Sequence, residues 1–316
     1  MNLQTKIPLA PNKFNQIDYN SKVLLLGSCF SENIGEKFEY FKFQKLQNPF
    51  GIQFHPQAIE TLVTNAINEK RYNQDDIFFH NEQWHCYDAH SCLSNVSQDQ
   101  LLQRLNDNIT SAHQFLKEAS HVVITIGTAW AYRFIETDRY VANCHKVPQK
   151  KFLKELLAVE QISESLDAIM SLVKSINPKV AFVFTVSPVR HIKDGFVENT
   201  RSKSHLISAI HQIVAPRNQS YYFPSYEIMM DELRDYRFYN ADMLHPNTLA
   251  VNYIWECFVS IWISEDTQKT MQAIGEVQKG LAHRPFNLKS DAHLTFLIGL
   301  EEKKSIIKSH FPNIMF

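Results

Sequence analysis

The chain of 316 residues contains only 8 glycines and five cysteines, and it has no long uninterrupted apolar segment. The cysteines are odd in number and irregular in spacing, which argues against a disulfide framework: Cys29, Cys86, Cys92, Cys144 and Cys257. The longest apolar runs have the length of a strand, so no transmembrane helix is predicted. Because residues 1–16 also lack the apolar core of a signal peptide, we expect a cytoplasmic protein.

Neither sign of charge predominates, since 32 basic and 33 acidic residues leave a formal net charge of −1. No long run of like charge occurs, so the sequence predicts no nucleic-acid partner and no membrane partner. Hydrophobic residues make up 44% and charged residues 21%, as in ordinary globular proteins. Nothing in the composition indicates an oligomeric state.

Strand and helix patterns alternate along the chain. Short apolar runs typical of buried parallel strands cover residues 23–27, 121–127, 179–189 and 220–223. Apolar residues three and four positions apart predict helices over 98–118 and 160–176, and further helices are predicted over 31–40, 201–214 and 246–263. This alternation predicts an α/β fold, a three-layer α/β/α sandwich with a mainly parallel sheet.

The pattern changes at two places, which suggests a division of the chain. Residues 40–100 carry many aromatic residues with weak periodicity, and we expect a loop-rich insertion over the top of the sheet. Residues 264–316 are polar, helical and without strand patterns. The sequence therefore predicts a main domain over 1–263 and a C-terminal helical extension over 264–316.

Three polar residues suggest a nucleophilic site. Ser28 follows the first strand, and open parallel sheets bind ligands beyond the carboxyl ends of their strands. Asp242 and His245 are three residues apart, so they can meet within one turn, where the carboxylate would orient the imidazole as a general base for a serine. Pro246 disfavours helical dihedral angles at His245, which places the imidazole at the entrance of a helix that starts with the proline.

At this point the sequence resembles a known family. The block LLLGSCFSENIG resembles the first motif of the GSCFA family, a relative of the SGNH/GDSL hydrolases. Further blocks resemble that family's successive motifs in the same order over roughly residues 20–260: NPFGIQFHP, TIGTAWAYR, NCHKVP, TVSPVRH and FPSYEIMMDELRDYRFYNADMLHPN. The resemblance implies a flavodoxin-like fold, with Ser28 as nucleophile and Asp242 and His245 completing a triad.

The resemblance also implies an oxyanion site, with one departure. SGNH enzymes usually carry an asparagine in the third block, but here the strand ends Gly127-Thr128-Ala129. We expect the backbone amides of Ser28 and Gly51 to hold the oxyanion together with Thr128, and Asn143 is the alternative donor. The first block reads Gly-Ser-Cys instead of Gly-Asp-Ser, which leaves the register of the serine open. Cys29 is a rival nucleophile because it adjoins Ser28 and thiolates are the better nucleophiles, although packing is its simplest role.

Other polar and aromatic residues are candidates for contact with substrate. They lie near strand ends or in the insertion: His90, Trp130, His145 and Arg190. The cluster of His85, Cys86, Asp88, His90, Cys92, Cys144 and His145 could suggest zinc, but its spacings fit no common zinc site. We therefore predict no metal and no cofactor.

These residues together predict a serine esterase that cleaves an O-acyl ester, such as an O-acetyl ester, through an acyl-enzyme on Ser28. The expected substrate is a small-molecule or saccharide ester. An O-acyltransferase with the same triad is one alternative. The others are a non-catalytic carbohydrate-binding or scaffolding protein on a hydrolase fold, which the missing third-block asparagine favours, and a metal-dependent enzyme built on the histidine-rich insertion.

Overall fold

The computed structural model describes residues 5–316, so the first four residues of the predicted main domain lie outside the described part of the chain. The strands in this part are β1 Lys22–Gly27, β2 Gln44–Gln47, β3 Phe78–His80, β4 Gln83–His85, β5 His121–Ile126, β6 Trp130–Phe134, β7 Arg139–Val141, β8 Phe152–Leu156, β9 Ala181–Val186 and β10 Ser220–Tyr222. The helices are α1 Cys29–Tyr40, α2 Pro56–Ile67, α3 Gln98–Glu118, α4 Val159–Ile176, α5 Phe196–Ile213, α6 Ser225–Glu227, α7 Thr248–Trp262, α8 Glu265–Ala282 and α9 Asp291–His310.

The central sheet is parallel, with strand order β10-β9-β5-β1-β2. Numbered along the chain, its strands follow the order 2-1-3-4-5, which is the flavodoxin-like order, and the predicted fold class is confirmed. The strand order reverses between β1 and β5. Ligands in such sheets bind beyond the carboxyl ends of the strands at this point, where the segments after Gly27 and Ile126 begin.

Strand β1 shows why the sheet is covered on both faces. Val23 and Leu25 belong to one buried cluster with Phe38 of α1 and Phe258 of α7. Leu24 and Leu26 belong to a second cluster, which holds buried residues of α2, α3, α4 and α5. Successive side chains of a strand point to opposite faces, so this run of apolar residues fills both interfaces of a three-layer sandwich.

The region 40–100 is more regular than the predicted loop-rich insertion. It contains the edge strand β2, the helix α2 and the β3–β4 hairpin. The sequence of β2, Gln-Lys-Leu-Gln, has no apolar run because an edge strand is only half-buried. A second region without a predicted sheet, 130–156, forms the antiparallel sheet β7-β6-β8.

The helix after His245 begins later than predicted. The Asn247 side chain caps α7 by accepting a hydrogen bond from the Ala250 amide at 3.1 Å. Pro246 lies before this cap, where it pairs with Tyr239 in an isolated β-bridge. The extension after residue 263 is helical, as predicted, and none of the helices in residues 5–316 is long and apolar enough to cross a membrane.

Candidate active site

The turn between β1 and α1 is built around a glycine in the left-handed region. Gly27 has φ +126°, and a Cβ there would lie 2.0 Å from the Thr125 carbonyl oxygen, so only glycine fits. The Ser28 amide donates to that same carbonyl at 2.9 Å. The Ser28 hydroxyl accepts from the Phe30 amide at 3.4 Å and has no exposed surface. Ser28 therefore caps α1, and Cys29 follows as its first, half-buried residue.

Asp242 and His245 meet as the sequence predicts. His245 Nδ1 lies 2.6 Å from Asp242 Oδ2. The other carboxylate oxygen accepts from the amides of His245 at 3.0 Å and Leu244 at 2.8 Å. These amides, followed by the imidazole, lower the pKa of Asp242 to about 2. The carboxylate thus fixes the proton on Nδ1 and leaves His245 Nε2 available as a base.

The segment that carries this pair is fixed to the carboxyl end of the sheet. The Arg190 amide, four residues after β9, donates to the Leu244 carbonyl at 3.2 Å. The Arg190 guanidinium lies 4.3 Å from the ring centre of Tyr239 and 5.2 Å from that of Tyr236. Arg190 therefore holds the Asp242–His245 segment through backbone and cation–π contacts, and its predicted contact with substrate stays a prediction.

The Ser28–Cys29 turn lies at the same edge of the sheet as this pair. The turn directly follows β1, and the Leu244 carbonyl is bound by Arg190 just after β9. Both strands belong to one parallel sheet, so their carboxyl ends lie at the same edge. Helices α1 and α7 also contact each other, since Lys37 Nζ lies 2.5 Å from Asn252 Oδ1. No hydrogen bond joins Ser28 to His245 among the described residues, and the role of Ser28 as nucleophile stays a prediction.

The predicted oxyanion donors already have intramolecular partners. The Ser28 amide binds the Thr125 carbonyl, and the Gly51 amide donates to the Asn48 carbonyl at 2.7 Å. Both amides are therefore engaged within the protein in this structure, and their role as oxyanion donors stays a prediction. The Thr128 hydroxyl lies 3.0 Å from Ser202 Oγ and accepts from the Trp130 amide at 3.0 Å.

Two of the remaining predicted residues, Asn143 and His145, form hydrogen bonds within the protein. The Asn143 side-chain oxygen accepts from the His145 amide at 2.8 Å. His145 is itself 5% exposed, with Nε2 2.8 Å from the Cys86 carbonyl and its ring 4.6 Å from that of His85. Burial, the largest cause, lowers the pKa of His145 to about 4. His145 is enclosed, which corrects the expectation that it lines a cleft.

His90 and Trp130 also contact other residues of the chain. A Cβ on Gly51, whose φ is +72°, would lie 2.6 Å from His90 Cβ, so the two residues are packed together. His90 Nδ1 also accepts from the Cys92 amide at 3.3 Å. Trp130 Nε1 donates to the Glu198 carbonyl at 3.4 Å, and Lys154 Nζ lies 5.0 Å from the Trp130 ring centre. Contact of either residue with substrate stays a prediction.

Two residues with a buried side-chain nitrogen at the carboxyl edge of the sheet were missed by the sequence analysis. Lys203 is 1% exposed and donates to the carbonyls of Gly127 at 2.8 Å and Ser187 at 2.7 Å. His191 Nε2 is buried without a hydrogen-bond partner among the described residues. Burial, with the positive charges of Lys203 and His245, lowers the pKa of His191 to about 3. A lysine in an amphipathic helix is normally exposed, so its residue type predicts no burial for Lys203. The TVSPVRH block, which ends at His191, was the one motif that marked this part of the site.

Within residues 5–316, no three histidine, cysteine or acidic side chains lie close enough to hold a metal ion. A groove of about 870 Å³ lies elsewhere, between α1, α7 and α8. Phe41, Trp255 and Met271 line this groove, and none of the predicted site residues does. The candidate site is the carboxyl edge of the sheet, where the Ser28–Cys29 turn and the Asp242–His245 pair lie.

Comparison with known proteins gives a family match. The model of the GSCFA family matches residues 22–258, and that of the GSCFA domain protein, C-terminal domain, matches residues 274–316. No curated protein matches. Two solved structures are similar at 9% identity and a TM-score of 0.37, covering 81% of this chain and 99% of theirs: a carbohydrate esterase family 3 from Talaromyces cellulolyticus, and an acetyl esterase mutant with acetate ion.

Proposed function

The chain belongs to the GSCFA family, and we propose that it is a hydrolase that cleaves an O-acyl ester through a covalent acyl-enzyme. The observation that carries this proposal is the Asp242–His245 pair, whose Oδ2–Nδ1 distance is 2.6 Å. Asp242 stays ionised because its pKa is about 2, so it can orient the imidazole and stabilise the imidazolium. The His245 side chain is 43% exposed, so a substrate can reach it.

The nucleophile in this proposal is a side chain of the Ser28–Cys29 turn, either the Ser28 hydroxyl or the Cys29 thiol. His245 Nε2 removes the proton of the hydroxyl or thiol, which attacks the ester carbonyl carbon. The tetrahedral intermediate then expels the alcohol, which takes its proton from the imidazolium, and a water molecule cleaves the acyl-enzyme by the same route. If Ser28 is the nucleophile, its hydroxyl must first lose the hydrogen bond that it accepts from the Phe30 amide. The loss of such a helix cap costs about 1 kcal/mol of stability.

The oxyanion site that this proposal requires involves the first turn of α1. The first amides of an α-helix have no partner within the helix, and Cys29 supplies the first of them. Such amides favour developing negative charge at a helix N-terminus. The Thr128 hydroxyl is the proposed side-chain donor, in place of the third-block asparagine. Each oxyanion donor of this kind contributes about 3 to 4 kcal/mol to barrier reduction.

Hydrolysis is favoured over acyl transfer by the accessibility of the pair. The Asp242 and His245 side chains are 45% and 43% exposed, so water reaches the base. An acyltransferase protects its acyl-enzyme by excluding water. The proposed substrates are small-molecule or saccharide esters, which can approach such an open edge.

The proposal is tested by hydrolysis of a panel of chromogenic acyl esters, beginning with an acetate. His245→Ala should lower kcat about a thousandfold or more, because the base is lost. The matched control is His211→Ala, which changes an exposed histidine of α5 away from the pair. Wild-type protein that is inert on the whole panel, or equal activity in His245→Ala, would contradict the proposal and favour a non-catalytic binding protein.

A further inference from the structure

Lys203 is an unusual residue to find at this edge, because its ammonium group is buried without a carboxylate. Its two protein acceptors are the carbonyls of Gly127 and Ser187, the residues that directly follow β5 and β9. Burial lowers its pKa to about 7, and no acidic side chain offsets this effect. A buried cation held only by strand-end carbonyls is costly, so a role in charge stabilisation would explain its position.

The position of Lys203 brings it beside Cys29. The Ser28 amide donates to the Thr125 carbonyl at 2.9 Å, so the Ser28–Cys29 turn lies beside the carboxyl end of β5, where Lys203 donates to Gly127. The two groups act on each other, since the positive charge of Lys203 lowers the pKa of the Cys29 thiol and the thiolate raises that of Lys203. Burial and the Glu32 carboxylate have the opposite effect and raise the pKa of Cys29 overall.

The remaining groups around Lys203 are the His191 imidazole and the Tyr226 ring, whose centre lies 5.6 Å from Nζ. Burial, followed by the charges of Lys203 and His245, lowers the pKa of His191 to about 3, so this imidazole is neutral. A Cβ on Gly127, the residue to which Lys203 donates, would lie 3.1 Å from His191 Nε2. Cys29, Lys203, His191 and His245 are therefore all titratable residues of the carboxyl edge of the sheet. Ser28 lies outside this group, because its hydroxyl is enclosed and caps α1.

We infer that the Cys29 thiol is the nucleophile of this hydrolase, and that Lys203 is a positioning residue whose charge favours the thiolate. The inference rests on the proposed function and names its reacting atom. The thiol passes its proton to His245 as sulfur bonds to the ester carbonyl carbon, and the departing alcohol regains that proton. Water then adds to the thioester, which releases the carboxylic acid and the thiol. Because the resting thiol is protonated, His245 remains necessary as the base.

Two experiments test this inference separately from the proposed function. The first compares ester hydrolysis by Ser28→Ala and Cys29→Ala. We expect Cys29→Ala to lose about a thousandfold or more, as removal of a nucleophile does, and Ser28→Ala to keep at least a tenth of the activity. The reverse pattern would overturn the inference and leave the proposed function standing. Full activity in both variants would contradict the proposed function as well.

The second experiment follows alkylation of Cys29 by iodoacetamide against pH, with mass mapping of the modified peptide. Lys203→Met should slow alkylation about tenfold at a fixed pH below the thiol pKa, which corresponds to one pKa unit. Glu32→Gln should accelerate it, because the Glu32 carboxylate raises the pKa of the thiol. If Lys203→Met does not fold, Lys203→Gln serves as the test, since its amide can still donate to the carbonyls of Gly127 and Ser187. The half-buried Cys257 thiol, whose pKa depends on neither Lys203 nor Glu32, is the internal reference. Unchanged rates at Cys29 in the folded variants would overturn the role of Lys203.

Discussion

The Arg190 guanidinium lies 4.3 Å from the ring centre of Tyr239, and this contact fixes the segment that carries the proposed base. Tyr239 pairs with Pro246, the residue after His245, and the Arg190 amide donates to Leu244, the residue before it. The residues before and after His245 are thus both held in place, which fixes the position of the imidazole. A small displacement of this segment would move Nε2 relative to the nucleophile.

Replacement of Arg190 tests whether it positions the base or binds substrate. Arg190→Met should lower kcat about tenfold to a hundredfold with little change in KM, because small misplacements of a catalytic group have effects of this size. Tyr239→Phe keeps the ring and should stay near wild-type activity. A rise in KM for anionic esters alone, with kcat retained, would instead support the predicted contact of Arg190 with substrate.

Replacement of Asp242 tests its role as the partner of His245. Asp242→Asn should lower kcat about 10⁴-fold, since an amide no longer imposes the tautomer with the proton on Nδ1. The double variant Asp242→Asn/His245→Ala should be no worse than His245→Ala, because members of such a unit are not additive. Asp235→Asn, which changes an exposed carboxylate paired with Arg237, is the control. Additive losses would show that the two residues act independently.

Replacement of Thr128 distinguishes an oxyanion donor from a structural hydroxyl. Thr128→Val preserves the shape, and it should lower kcat about tenfold to a thousandfold if the hydroxyl stabilises the oxyanion. The contacts with Ser202 and Trp130 predict some loss of stability in addition. Thermal unfolding should therefore be measured beside kcat. A lower melting temperature with unchanged kcat would remove Thr128 from the mechanism.

Buried histidines make stability depend on pH. His55 is 4% exposed, with Nε2 3.0 Å from the Val141 carbonyl, and burial lowers its pKa from 6.5 to about 4. Between these values the unfolded chain binds a proton that the folded chain does not, so stability falls as pH falls through this window. The loss from His55 should reach about 3 kcal/mol, by the conversion of 1.36 kcal/mol per pKa unit, and should be complete below pH 4.

Denaturant unfolding at pH 7 and pH 4.5 measures this dependence. His55→Gln should show a smaller drop between the two pH values than the wild type, whatever its absolute stability. His310→Gln, which changes an exposed histidine at the end of α9, should keep the wild-type drop. Equal drops in the wild type and His55→Gln would refute the assignment.

The strands that could be predicted from the sequence are those with both faces buried. Strands β1, β5 and β9 are apolar along their length because both faces are covered, and α3 was predicted with its observed ends. Strand β2 was missed, since its polar residues lie at the sheet edge. The short strands β6, β7 and β8 were missed because their pairing is set by contacts distant in the sequence.

The site could be predicted in part for a similar reason. Asp242 and His245 are close in the sequence, so their contact follows from local geometry. The enclosure of Ser28 depends on Thr125, which is distant in the sequence and is brought alongside by the sheet. The burial of Lys203 likewise follows from the packing of α5 against the carboxyl ends of β5 and β9, which no local pattern of residues indicates.

The central claim is that the Ser28–Cys29 turn forms an acyl-enzyme with His245 as the base. The most direct measurement is acid quenching of the protein during turnover of a chromogenic acetate, followed by mass mapping of the tryptic peptide 23–37. We predict that an acetyl group is found on this peptide in the wild type and is absent from His245→Ala. Turnover without acetyl on peptide 23–37, or equal labelling in His245→Ala, would contradict the claim.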